Sequence, residues 1–300
     1  MTTEENSRSF FIRIFISPDE PRLRAGWRLL LHIALIMIVG LGLNSTLRFL
    51  PLPTGGGMLA GQLSNLIVMT ISVYIARRWL DKRSFTSLGL KSDKKMWVDL
   101  LVGIVITFLM MGFIFIVEWA LGWITFEGFA WQTESVSSVT LNLLGILAVF
   151  ILVGWNEELL SRGYQLQNIA DGINLRWGVL ISSAVFGILH LGNPNATWLS
   201  AVGIFIAGLF LAYGYTSTKQ LWLPIGLHIG WNFFEGVIFG FPVSGMDLYR
   251  LTRISVNGPP LWTGGAFGPE AGLIIIPAVA LGAGLIYLYT QKENIPGLSE

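Results

Sequence analysis

Three short segments carry ionisable and amide side chains in otherwise apolar surroundings. The densest is Trp155-Asn156-Glu157-Glu158-Leu159-Leu160-Ser161-Arg162. On a helix, Glu158 and Arg162 lie one turn apart on one face and can pair. Glu157 is turned about 100° away and has no basic residue three or four positions along. Glu157 is therefore the carboxylate left free for chemistry, and an apolar site beside a second carboxylate suits a general base or acid. The second segment is Phe186-Gly187-Ile188-Leu189-His190, followed by a Gly192-Asn193-Pro194 turn. The third is His228-Ile229-Gly230-Trp231-Asn232, in which His228 and Asn232 share a face that Glu235 continues. Two such groups could bind a ligand, a metal or a developing oxyanion.

Each segment also has a plainer reading. The Glu-Glu-Arg stretch could be the solvated end of a membrane span, His190 an interfacial histidine, and His228 with Asn232 a helix–helix hydrogen-bonding pair. His32, alone in its span, is assigned to helix–helix hydrogen bonding.

The elements that must position these residues are membrane helices. Of 300 residues, 53% are hydrophobic and only 12% charged, about half the charge of a soluble domain, and the mean hydropathy is +0.64. From Leu29 to Leu47 the only ionisable group is His32. Spans are expected near 29–49, 58–76, 98–122, 139–156, 177–191, 198–216, 221–240 and 271–290, each close to the ~20 residues that cross a bilayer. The expected fold is thus all-α, a polytopic transmembrane bundle of about eight helices over 29–290, with its core at about 139–240. Segments 1–28 and 291–300 flank it. The N-terminus does not read as a cleaved signal peptide. A net charge of +1 without a basic, aromatic-interleaved run argues against nucleic acid as a partner, and the absence of cysteine excludes disulfides and thiolate chemistry.

Lys and Arg set the expected orientation. Arg8, Arg13, Arg22, Arg24 and Arg28 precede the first span, and Arg77, Arg78, Lys82, Arg83, Lys91, Lys94 and Lys95 lie between the second and third. Both regions, and both termini, are expected in the cytoplasm of a bacterial plasma-membrane protein. Arg48, Arg250 and Arg253 depart from the rule. Trp27, Trp79, Trp97, Trp177 and Trp222 fall at inner ends and Trp119, Trp123 and Trp198 at outer ends, as an interfacial belt would. On these boundaries Glu157 sits near the inner end of span four and His190 near the outer end of span five. A span four continuing through Gly163 to Asn174 would bring them together.

Taken in order, Glu157-Glu158-x-x-x-Arg162, Phe186-x-x-x-His190 and His228-x-x-x-Asn232 resemble the three motifs of the CAAX-protease and bacteriocin-processing family. Ser84-Phe85-Thr86-Ser87-Leu88-Gly89-Leu90 also looks like a loop found upstream in such proteins. The resemblance implies an intramembrane endopeptidase whose partners are the lipid bilayer and a membrane-anchored protein or peptide substrate. It implies Glu157 as the base that activates water, with His190 orienting that water. His228 and Asn232 would stabilise the oxyanion, and Glu158 and Arg162 would hold the site together. No cofactor is assigned, with zinc on Glu157, His190 and His228 as the alternative. The competing functions are a non-catalytic scaffold or immunity-type protein of the same fold, and an ion-coupled transporter.

Overall fold

The computed structural model describes residues 14–18, 20–47 and 57–293. Arg8, Arg13, Arg48, the loop at 51–56 and the tail from 294 lie outside the described residues.

Apolar composition and length dictate the architecture. Helix α1 is Ala25–Leu47. Helix α2, Gly57–Ile75, ends in a wide turn at Ala76–Leu80, and α3 is Lys94–Ala120. Helix α4, Val136–Glu158, runs through a wide turn at Leu159–Gln165 into α5, Leu166–Gly172. After α6, Leu175–Leu189, comes α7, Trp198–Thr218. Helix α8 is Trp222–Asn232, continued by a wide turn at Phe233–Ile238, and α9 is Ile275–Glu293. Six of these stretches are long and apolar enough to cross a membrane, and the stretch Ile275–Gln291 is a shorter apolar helix. Their outward faces expose Leu30, Ile33, Met37, Leu101, Ile116, Leu144 and Leu180. Such surface suits hydrocarbon, where a helix satisfies its own backbone. The chain is an integral membrane protein built as an all-helical bundle.

Among the described residues, the bundle also carries a two-stranded antiparallel sheet at one end, β1 (Ile124–Phe129) with β2 (Thr252–Val256). Ile124 pairs with Val256 and Phe129 with Thr252, with a bulge between Phe126 and Gly128. Gly128 takes φ 137°, which favours glycine. Alternation in these strands is too brief to separate from the surrounding apolar sequence.

The expected end of the fourth span is corrected. Helices α4 and α5 form one rod, Val136–Gly172, of 37 residues, rather than 139–156. Its far tip is held by ion pairs at the basic end of the bundle. Asp171 binds Arg22 at 3.1 Å and Arg83 at 3.0 Å. Beside it, buried Asp81 accepts from Arg28 and Arg77, both at 2.9 Å. Each buried charge there has an opposite partner, the condition under which its burial is tolerable.

Helix α8 owes its place to glycine. A Cβ on Gly226 would lie 2.3 Å from the Leu100 carbonyl oxygen, and one on Gly230 would lie 2.2 Å from Thr107 Oγ1. Two glycines one turn apart therefore let α8 lie against the backbone of α3, the small-residue packing of membrane helices. His228 and Asn232, each two residues further on, are rotated about 200° from that seam and face the opposite way, toward α4.

Candidate active site

Glu157 lies partway along the α4–α5 rod, immediately before its wide turn. His190 follows the last residue of α6, in a short 3-10 turn. Glu157 Oε2 is 3.9 Å from His190 Nε2 and 3.7 Å from His228 Nε2. Asn232 lines the same cavity of about 320 Å³ as these three residues, and the walls are largely apolar, including Phe150, Val153, Phe186 and Leu211. The structure thus brings Glu157, His190, His228 and Asn232 to one place.

Behind them, Glu158 Oε1 accepts from Arg162 Nη1 at 2.9 Å and from His228 Nδ1 at 2.8 Å. Arg162 Nη2 donates to the Gly208 carbonyl at 3.0 Å. Its guanidinium lies 4.4 Å from the centre of the Phe186 ring, within cation–π range. The same ring packs against His190 at 4.6 Å between centroids. Glu158 and Arg162 are fully buried. The Glu158–Arg162 pair therefore does more than neutralise itself, because it anchors one imidazole directly and supports the other through Phe186.

The hydrogen bonds fix which nitrogens face the cavity. His190 Nδ1 donates to the Phe186 carbonyl at 2.8 Å, because a carbonyl can only accept. His228 Nδ1 donates to Glu158. In both rings Nε2 is left facing Glu157. The separations of 3.7 and 3.9 Å exceed a direct hydrogen bond and leave room for one bridging water. They also exceed the ~3.3 Å between neighbouring ligands that tetrahedral zinc requires with bonds of ~2.0–2.1 Å. Among the described residues, no three His, Cys, Asp or Glu side chains are grouped as a metal site.

Other polar residues singled out in the sequence sit apart. Asn156 Nδ2 donates to Gln62 of α2 and does not line the cavity. His32 Nε2 meets Ser72 Oγ at 3.4 Å and packs on Tyr164, a contact between helices. The Ser84–Leu90 loop lies at the basic end. Gln167 Nε2 donates to its Leu88 carbonyl and the Leu221 amide to its Gly89 carbonyl, so the loop pins α5 to the start of α8.

Sequence reasoning missed Glu270 and Ser244, which come from the connection between β2, α8 and α9 and complete the cavity wall. Ser244 donates to Glu270 Oε2 from both its amide and its hydroxyl, each at 2.7 Å. Burial holds the Glu270 carboxyl above its ordinary value, against a smaller downward pull from the Ser244 donors and the imidazoles of His190 and His228. Asn193 and Asn195 donate to the Ser244 and Gly245 carbonyls and tie this connection to the α6–α7 turn. Nothing in the local sequence marks Glu270, since Gly268-Pro269-Glu270 reads as an ordinary loop.

Residues 139–234, the stretch that holds all of the motif residues, match the family model described as type II CAAX prenyl endopeptidase Rce1-like. The chain carries an Rce1-like segment. The chain is also similar to YyaK of Bacillus subtilis (strain 168), an uncharacterized protein, at 25% identity over 222 residues, 70% of each chain. YdiL of the same organism, provisionally named a membrane peptidase, is 31% identical over 87 residues, 29% of this chain and 34% of YdiL.

Proposed function

We propose that this protein is a glutamate-type intramembrane endopeptidase that hydrolyses a peptide bond of a membrane-anchored substrate. The observation that carries the reading is the convergence of one unpaired carboxylate and two imidazole Nε2 atoms within 4 Å, beside an amide, in a largely apolar cavity. Glu157 takes a proton from a water held between it and the histidines. The second O–H of that water donates a hydrogen bond to His190 Nε2 and stays intact, which aims the oxygen lone pair at the scissile carbonyl. Asn232 donates to the oxyanion as it forms. His228 donates there from Nε2 in its imidazolium form, with its ring held by the Nδ1 hydrogen bond to Glu158. The proton on Glu157 then passes to the leaving amine, so base and acid are one residue. No step is routed through a metal. The excess of Lys and Arg at the basic end of the bundle supports a cytoplasmic position for that end.

The test compares the purified, reconstituted wild type with Glu157→Ala on a library of membrane-anchored peptides. Wild type is expected to cut a subset and the variant none. Equal cleavage by both would remove Glu157 from the mechanism.

A further inference from the structure

Gln62 lines the cavity from α2 and has no part in the hydrolysis derived above. It lies one turn beyond Met58, and both side chains belong to the wall. Its contact with α4 fixes the direction of its amide. Asn156 Nδ2 lies 3.3 Å from the Gln62 main-chain carbonyl and 3.3 Å from Gln62 Oε1. The main-chain carbonyl only accepts, so the Asn156 atom that meets it is the amide nitrogen. That nitrogen only donates, so the Gln62 atom beside it is the oxygen. Both identifications leave Gln62 Nε2 turned away from Asn156 with two hydrogens to donate, and among the described residues it has no hydrogen-bond partner. Asn156 is 4% exposed and directly precedes Glu157 in α4. Gln62 is therefore tied to the turn of helix that carries the base.

We infer that Gln62 is a substrate-binding residue: its Nε2 donates to a main-chain carbonyl of the substrate flanking the cleaved bond, and so sets the register of the peptide over Glu157. The inference rests on the peptidase reading for the identity of the ligand as a peptide. An extended peptide brings a carbonyl at every residue, about 3.3–3.6 Å apart along the chain. Each carbonyl loses its water on entering a largely apolar cavity, and it needs a donor there. The scissile carbonyl is taken by Asn232, so the one that meets Gln62 is a neighbour. Such a contact reads the peptide backbone rather than a side chain.

The test reads binding by fluorescence polarisation, on the full chain carrying Glu157→Gln in dodecyl maltoside, so that no probe is cut. The parent probe is the fluorescein-labelled member of the membrane-anchored peptide library that this chain binds most tightly. In each analogue one peptide bond is replaced by an (E)-alkene, which keeps the extended shape and removes the carbonyl. It also removes the N–H, and dependence on Gln62 assigns the loss to the carbonyl, because Nε2 only donates. At one position the alkene is expected to weaken binding at least about tenfold. Gln62→Met in the same chain is expected to weaken the parent to a similar degree and to reduce the penalty of that alkene to below about threefold. Should Gln62→Met fail to fold, Gln62→Ala takes its place. A merely structural Gln62 would weaken parent and analogues alike and leave the tenfold penalty in place. That result, the absence of any penalty that depends on Gln62, or no binding of any library member would each overturn the inference. If the coupling holds while wild type cuts nothing in the library, the peptidase reading fails and the peptide-binding role stands. If wild type cuts and the coupling is absent, the peptidase reading stands and the role of Gln62 fails.

Discussion

Glu157 and His190 face each other across a helical hairpin, Oε2 to Nε2 at 3.9 Å, at equal distances from its turn. Each lies about fifteen residues from the turn at Ile173–Asn174, roughly 22 Å along its own helix. Two antiparallel helices bring equal contour lengths to equal depth. The pairing therefore depends on the α4–α5 rod continuing to Gly172, and the ion pairs of Asp171 with Arg22 and Arg83 hold that tip in place.

The unpaired position of Glu157 leads to the first prediction. Glu157→Gln should lower kcat by about 10²–10⁴, the usual contribution of a general base, with little change in unfolding temperature. The Glu157 side chain is 36% exposed and makes no short ion pair, so its charge contributes little to the fold. Steady-state cleavage and thermal unfolding of one preparation check both parts.

Glu158 and Arg162 should behave in the opposite way. Removing one partner of a buried ion pair strands the other, at a cost of about 3–5 kcal/mol. Glu158→Ala or Arg162→Ala should therefore lower the unfolding temperature markedly. The double variant should be less destabilised than the sum of the singles, because it strands neither. Additive losses would show that the two residues do not act as a pair.

Asn232 is assigned to the oxyanion. Loss of one such donor costs about 10²–10³ in kcat. Asn232→Ala should show that loss with KM nearly unchanged, while a matching rise in KM would instead assign the residue to substrate binding.

The spacing between Glu157 and the histidines predicts metal independence. Incubation with EDTA, and then addition of zinc, should leave both the cleavage rate and the unfolding temperature unchanged. Loss on chelation with recovery on zinc would require the imidazoles to close on a metal.

Gly226 tests whether packing positions chemistry. A Cβ there would lie 2.3 Å from the Leu100 carbonyl, and backbone cannot yield as a flexible side chain can. Gly226→Ala should cost about 1–3 kcal/mol through overpacking. It should also reduce kcat by displacing His228, although residue 226 faces away from the cavity.

The sequence by itself determined the membrane bundle, because hydrocarbon tolerates few charges and their gaps show at any window of helix length. It determined the pairing of Glu158 with Arg162 and the isolation of Glu157, because both follow from helical periodicity within one segment. It raised a continuation of span four through Gly163 to Asn174 but could not decide it, because what holds the end of that stretch, Asp171 with Arg22 and Arg83, joins residues distant in sequence. Nor could it bring Glu270 into the cavity or tie His228 to Glu158. Those contacts join residues 26 and 70 positions apart, and no local pattern encodes a distance that only the packing of α8 on α3 and the fold-back of the final connection create.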